Sequence, residues 1–469
     1  MKDTNTGAAG KEAAADVQYR KMTETPVARL IVTLAIPTMI SMLVTNIYNT
    51  GDTYFVSKLG TSASGAVGIV FSLMALYQAV GFMCGQGSGS FVSRMLGARE
   101  PDLARRYAST GFIAAFVLGT LISVICLIFM DPLLEILGST ETILPYARQY
   151  ALWIFVAGPF LSSSCVLNNI LRYEGKAFYA MIGLTAGGLL NLAGDPVLMF
   201  GLDLGVSGAG ISTAFSQIIS FGILLYMVNS GKTISSVKFR HVHPGLFTGI
   251  FAVGFPSMIR NGLNVVTTIL LNQQAKPYGD AAIAAMSIVG RATFLIAAVA
   301  IGMGQGLQPV AAFNYGAKKY GRVRDGWKFT VIAGTCILGV FAVLCIIFSE
   351  PIITWFRDDP DVIAIGSVAL RWQAVSCLAG PFAVSSNMLF QSTGKSFQAG
   401  LLALIKNGIL FIPLILVLPH FFGIFGVEIA QPVSDILTSV ITIPIIGSYL
   451  KKLRDMGETE DKAGSIKCT

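Results

Sequence analysis

Twelve apolar segments, at residues 29–57, 63–90, 107–130, 143–170, 178–201, 207–228, 246–275, 281–308, 328–349, 362–390, 397–418 and 424–449, take up most of this 469-residue chain. Each reaches the roughly 20 residues that carry a helix across a hydrocarbon core. Several are longer, which points to tilted helices or helices that run past the bilayer. Composition agrees. Hydrophobic residues are 54% of the chain, charged residues 12%, and the mean hydropathy is +0.68, whereas soluble domains carry about twice that charge. The expectation is an all-α membrane protein of twelve transmembrane helices, in contact with a lipid bilayer.

Residues 1–25 are polar, and the apolar run that starts near Leu30 is too long for a signal-peptide core, so no cleavable signal is expected. The seven cysteines are scattered, six of them in apolar stretches, without metal-type spacing, and read as packing residues. His241, His243 and His420 all lie in loops, so neither a metal site nor a catalytic constellation is expected. The glycine-rich runs at 85–89 and 302–306 have no following Lys-Ser/Thr and no preceding strand, which argues against a nucleotide loop and for close helix packing. No ATP hydrolysis and no cofactor are expected.

The net charge of +8 is explained by where the charges sit. On one side of the spans the loops and both ends carry 25 Lys and Arg; on the other only Lys58, Lys276 and Arg357 occur. By the positive-inside rule both termini are expected in the cytoplasm, and a nucleic-acid partner is excluded.

The chain also repeats itself. A shift of 219 residues lays Pro37 on Pro256, Gly85-Gln86-Gly87 on Gly304-Gln305-Gly306, Gly97-Ala98 on Gly316-Ala317 and Gly175-Lys176 on Gly394-Lys395. The unit is six helices, an even number, so both copies run in the same direction. This gives a polar N-terminus at 1–28, a lobe at 29–228, a connecting loop at 229–245, a second lobe at 246–450 and a tail at 451–469. A ligand path is expected between the two repeats.

Polar residues within the spans are the candidates for function, because lipid offers them no partner. Span 1 carries a stripe of Ser41, Thr45, Asn49 and Asp52; span 7 carries Asn261, Asn264, Thr268 and Asn272. Two stripes in matching helices point to a cavity; hydrogen bonding between helices is the alternative. Asp52 and Asp195 each lie roughly 9 Å from the outer end of their span, and the shift replaces them by Leu271 and Leu414. Burial and a like-charge neighbour both favour the protonated form of a carboxyl group, so the pair can load and release a proton. Asn191, one turn from Asp195, can support it. Sodium binding by the same oxygens is the alternative, as is a role for Asp195 in satisfying backbone groups freed by Pro196. Pro37 and Pro256 are candidate hinges or static kinks. Lys406 and Asp435 both fall roughly 15 Å deep. They are expected to pair with each other or to join Arg371 in one network, unless Lys406 meets water in a cavity.

The stretches LAIPTMISMLVTNIYNTGDTYFVSKLG at 34–60, SRMLGARE at 93–100, NNILRYEGK at 168–176 and NLAGDPVLMFGLDLGVSGAGIST at 191–213 resemble the multidrug and toxic compound extrusion (MATE) family, in its DinF-like and MepA-like prokaryotic branch. The resemblance covers 29–450. It implies two six-helix lobes around a cavity and cation-coupled antiport, by proton or sodium, of small organic compounds across the plasma membrane. It further implies a coupling site at Asp52, Asn191, Asp195, Thr213, Tyr150 and Asn168. Cys165 departs from some relatives, which carry asparagine there. Carboxylates that another branch places in helices 7 and 8 are missing. A monomer is expected. Export or flipping of a lipid-linked or other endogenous metabolite within the same superfamily is the competing function; a major facilitator or a membrane enzyme fits the residues less well.

Overall fold

The computed structural model describes residues 15–231 and 233–466, with side chains to residue 460; the start of the polar N-terminus and Cys468 lie outside the described residues. Among the described residues every regular element is helical. Twelve long elements follow the apolar segments. They are α1 (Val27–Ser57), α2 (Thr61–Gly97), α3 (Pro101–Ile128), α4 (Leu144–Tyr173), α5 (Ala177–Pro196, running on as a π turn through Val197–Gly201) and α6 (Gly205–Asn229). The second set is α7 (Phe247–Ala275), α8 (Asp280–Gly316), α9 (Tyr320–Ile347), α10 (Pro360–Cys377 and Gly380–Ser392), α11 (Ser396–Phe422) and α12 (Ile424–Ile466).

These helices are not equally apolar. Ten are long and apolar enough to cross a membrane, and the two pieces of α10, bent by 50°, make an eleventh span. The twelfth, α7, has the length at 29 residues. Arg260, Asn261, Asn264, Asn272, Gln273 and Gln274 lower its hydropathy.

The repeat recurs in backbone geometry. Arg99 (φ 62°) and Lys318 (φ 59°), 219 positions apart, close α2 and α8 in the left-handed region. At both ends the next N–H bonds a carbonyl five residues back: Glu100 to Met95 and Lys319 to Asn314, each at 2.8 Å. Gly175 (φ 79°) and Gly394 (φ 78°) turn the chain after α4 and α10 in the same way. Asn168 Nδ2 donates to the Ala180 carbonyl at 3.1 Å, and Asn387 Nδ2 to the Ala399 carbonyl at 2.6 Å. Each repeat also carries a short helix, Met130–Ile136 or Ser349–Phe356, tied down by an ion pair. The pairs are Asp131 with Arg148 at 2.5 Å and Glu350 with Arg371 at 3.0 Å.

The chain divides into two compact units. The first holds residues up to Met22 and Ile40–Met258; the second holds Thr23–Met39 and the residues from Ile259 on. These units differ from lobes of 29–228 and 246–450 in two segments: 29–39 goes with the second unit and 246–258 with the first. The reason is close packing on bare glycine. In the first unit the Ile250 carbonyl sits where a Cβ on Gly87 would be. In the second, a Cβ on Gly306 would stand 2.8 Å from the Ile31 carbonyl oxygen. Ile31 and Ile250 are themselves 219 positions apart, so the repeats exchange the first halves of α1 and α7. The first unit's core gathers around Val70, Tyr77, Ile154 and Phe155; the second's gathers around Val289, Leu370, Phe411 and Ile415.

Candidate functional site

Asp52 lies near the end of α1 in the first unit, 9% exposed. Tyr150 of α4, itself buried, donates its hydroxyl to Asp52 Oδ2 at 3.0 Å. Helix α5 adds Asn191 and Asp195, one turn apart and therefore on one face. Asn191 Nδ2 reaches Asp195 Oδ1 at 3.2 Å, Thr213 Oγ1 at 3.1 Å and Ser212 Oγ at 3.4 Å. Ser212 Oγ donates back to the Asn191 carbonyl at 3.2 Å, so α5 and α6 are laced together here. A Cβ on Gly194 would come within 2.6 Å of Ser212 Oγ, so a larger residue there would turn that hydroxyl away from the Asn191 carbonyl. Asp195 accepts from the Asn191 side chain rather than capping backbone groups freed by Pro196. A Cβ on Gly210 would stand 3.3 Å from the Tyr150 carbonyl oxygen, so α4 brings the Asp52–Tyr150 pair beside the stretch of α6 that carries Ser212 and Thr213.

Three oxygens in this cluster, Asp52 Oδ1, Asn191 Oδ1 and Asp195 Oδ2, are buried and have no hydrogen-bond partner among the described residues. Buried acceptors are nearly always satisfied, because each one left bare costs about 1–3 kcal/mol. Three together leave the cluster with room in its bonding for a proton, a small cation or ordered water. Among the described residues no group of three or more His, Cys, Asp and Glu is placed to hold a metal ion.

Asn168 stands apart from the cluster, bonded to the Ala180 carbonyl. It lines a cavity of about 120 Å³ within the first unit, together with Thr45, Tyr48, Gln78, Cys165 and Gln217. Ser164 also lines it, and its buried hydroxyl has no partner among the described residues. The volume suits a few waters; a drug-sized ligand needs at least about 300 Å³. Asn49 is half-buried beside this stretch of α1. Ser212, Tyr48, Gln78 and Gln217 were absent from the sequence-based set, although the two glutamines carry the same signal as the asparagines: amides inside apolar spans.

The second unit is built differently. On α7, Asn264, Thr268 and Asn272 are exposed and Asn261 is half-buried. Asn264 Oδ1 accepts from Asn407 Nδ2 at 2.7 Å. Lys406 Nζ lies 3.1 Å from Asp435 Oδ1, which also accepts from Gln431 at 3.0 Å. Here α11 winds as a π-helix over Ile405–Leu410, and Ser434 donates to the Lys406 carbonyl at 2.7 Å. Arg371 belongs to neither partner; it binds Glu350 and, at 2.7 Å, Ser349. Pro37 lies in the segment exchanged into the second unit, and Pro256 in the segment exchanged into the first.

Two matched six-helix repeats of membrane-spanning length, one of them holding a buried polar cluster, define a multi-pass membrane transporter of the repeat-built kind. The MatE family model matches residues 37–197 and 256–417, two copies that start 219 residues apart. The chain belongs to this family. The multidrug export protein MepA of Staphylococcus haemolyticus (strain JCSC1435) is 28% identical over 454 residues, covering 96% of this chain and 99% of that protein. A solved MATE in complex with MaL6 superposes with a TM-score of 0.88 at 24% identity, over 93% of this chain and 99% of that one. An outward-facing multidrug resistance MATE family transporter of the MOP superfamily superposes with a TM-score of 0.87 at 23% identity, over 93% and 98%.

Proposed function

We propose that the protein exports drug-like organic compounds across the plasma membrane, driven by protons entering through the cluster of Asp52, Tyr150, Asn191, Asp195 and Thr213. The observation that carries this reading is the trio of buried, unpartnered oxygens on Asp52, Asn191 and Asp195. Two carboxyl groups in one dry site are costly as two bare charges and tolerable when protons neutralise them. A proton on Asp195 or Asp52 turns an unpartnered acceptor into a donor. Export of drugs is supported by the name of the 28%-identical relatives, which are multidrug export proteins.

In this reading substrate and proton use opposite states of one alternating-access cycle. Thr45, Asn49 and the small cavity beside them admit substrate after widening, and Asn261, Asn264, Thr268 and Asn272 present the polar face of the second repeat. Pro37 and Pro256 act as bend points. The units exchange partners two residues beyond each proline, at 39/40 and 258/259, which supports bending there. Both termini lie in the cytoplasm, and one chain suffices.

The same oxygens can ligate sodium, so the test separates the two ions. Purified protein in liposomes is given an imposed pH gradient without sodium, then a sodium gradient at equal pH, and ethidium movement is followed. Movement with the pH gradient alone, lost in Asp195→Asn, is expected. Movement that needs sodium assigns the site to that ion, and wild-type rates in Asp195→Asn take coupling away from this cluster.

A further inference from the structure

Two stretches lead into the proline-bearing helices: residues 15–24 into α1 and residues 230–246 into α7. Both are fastened to Glu174, the first residue beyond α4, which is fully buried. Its carboxylate oxygens accept from the main-chain N–H of Ile234 at 2.6 Å and of Ser235 at 3.0 Å. Its own carbonyl accepts from Gln18 Nε2 at 2.5 Å.

Each lead-in has further support around this point. Arg105 Nε donates to the Ile234 carbonyl at 3.1 Å, Ser109 Oγ to the Ser236 carbonyl at 3.2 Å, and the Lys238 N–H to Ser109 Oγ at 3.1 Å. The loop therefore lies along the start of α3. On the N-terminal side, Met22 is fully buried, its sulfur against Gly175, and the Arg99 guanidinium stacks 4.4 Å over the Tyr19 ring.

A buried carboxylate is an expensive way to hold a loop. Burial pushes the Glu174 carboxyl group above its ordinary range, against the opposing effect of the two N–H donors and Lys176. Packing alone does not call for it, because the other repeat manages without. At the position 219 residues on, Thr393 turns its hydroxyl back to the Leu389 carbonyl at 2.9 Å and, among the described residues, bonds no distant segment through it. The anchor exists where the chain has two lead-ins to hold.

We propose that Glu174 is a positioning residue for transport: one shared anchor that sets where the lead-ins of α1 and α7 begin, and so how their proline-bearing halves are held. This rests on the transport reading above. The two attachments separate cleanly. The loop is held by the side chain, the N-terminal stretch by the main chain. Glu174→Gln keeps one acceptor but turns an amide toward the Ser235 N–H, whereas Gln18→Ala releases only the N-terminal stretch.

Limited trypsin digestion of the full-length protein in lipid nanodiscs reads the anchoring, with cleavage at Lys238 and Arg240 for the loop and at Arg20 and Lys21 for the N-terminal stretch. Loss of a charge-assisted hydrogen bond should speed loop cleavage about tenfold or more in Glu174→Gln and leave the N-terminal sites unchanged. Gln18→Ala should do the reverse. In liposomes both variants should lower the maximal rate of ethidium movement several-fold at unchanged KM, since neither residue touches the polar cluster or its cavity. Trypsin patterns like wild type in both variants overturn the anchor. Freed segments with wild-type rates, or a change in KM alone, overturn its role in transport. Wild-type liposomes that move no ethidium count against the exporter reading instead, and the trypsin comparison then decides the anchor alone.

Discussion

Tyr150 supplies Asp52 with its one described hydrogen bond, and that bond is the simplest handle on the polar cluster. Tyr150→Phe keeps the ring and leaves both Asp52 oxygens without a donor, a cost of about 1–3 kcal/mol. A carboxylate so stripped holds its proton more tightly, and release becomes the slow step. Ethidium efflux by this variant should fall at neutral internal pH and recover as the internal side is made more alkaline; a flat response separates Tyr150 from coupling. In the second unit Lys406 and Asp435 lie 3.1 Å apart, the lysine 33% and the aspartate 13% exposed. Removing either partner should cost up to about 3 kcal/mol, the low end for a buried pair, because water reaches the lysine. Lys406→Asp combined with Asp435→Lys should regain part of that loss in thermal unfolding of the solubilised protein, and a double variant no better than the singles excludes a mutual pair. Depth along the helices was enough to single out Asp52, Asp195, Lys406 and Asp435 from sequence, and one-turn spacing from Asp195 added Asn191. Ser212 was not legible, since a serine among glycines and alanines looks like packing. The separation of Asn168 from the cluster was hidden too, because its partner is a main-chain carbonyl.

Among the elements, α1 and α7 each carry one of the two matching polar stripes and one internal proline, Pro37 and Pro256. A proline inside a helix removes one hydrogen bond and clashes with the preceding turn, worth about 3 kcal/mol against a straight helix. Pro256→Ala should therefore raise the unfolding temperature while slowing efflux several-fold, since a stiffer α7 no longer bends where the two units meet along the chain. Faster efflux together with higher stability argues that the kink is static. Helix positions followed directly from apolar length, because lipid leaves the backbone no other way to satisfy itself in a segment of this kind. The irregularities did not. The break at Leu378 and Ala379 in α10 and the π-helical stretches Val197–Gly201 and Ile405–Leu410 lie inside apolar runs. A π turn adds one residue per turn without changing composition; the Lys406 carbonyl takes the Phe411 N–H five residues on and the Ser434 hydroxyl, and neither bond leaves a mark in the sequence.

At the scale of the whole molecule, the exchange of 23–39 and 247–258 makes each compact unit depend on chain from the other repeat. Repetition in the sequence could not reveal this, since Ile31 and Ile250 match equally well whichever unit they pack against. The consequence concerns how the halves fold. A fragment ending at residue 245 lacks the Ile250 segment that covers Gly87, and Gly254, which packs against the Met83 carbonyl. It also carries residues 23–39 with their own partner, Gly306, missing. A fragment starting at 246 has the complementary defects. Exposed glycine surface and an unpaired half-helix leave each fragment short of the packing that holds membrane helices together. Each half expressed alone is therefore expected to be degraded or to run as aggregate on size exclusion. The two halves co-expressed, cut within the connecting loop, should recover a single monodisperse species and part of the efflux activity. A first half that folds alone to a sharp, heat-stable peak would show that the exchanged segments are dispensable, and the two units would then be independent lobes joined only by the loop.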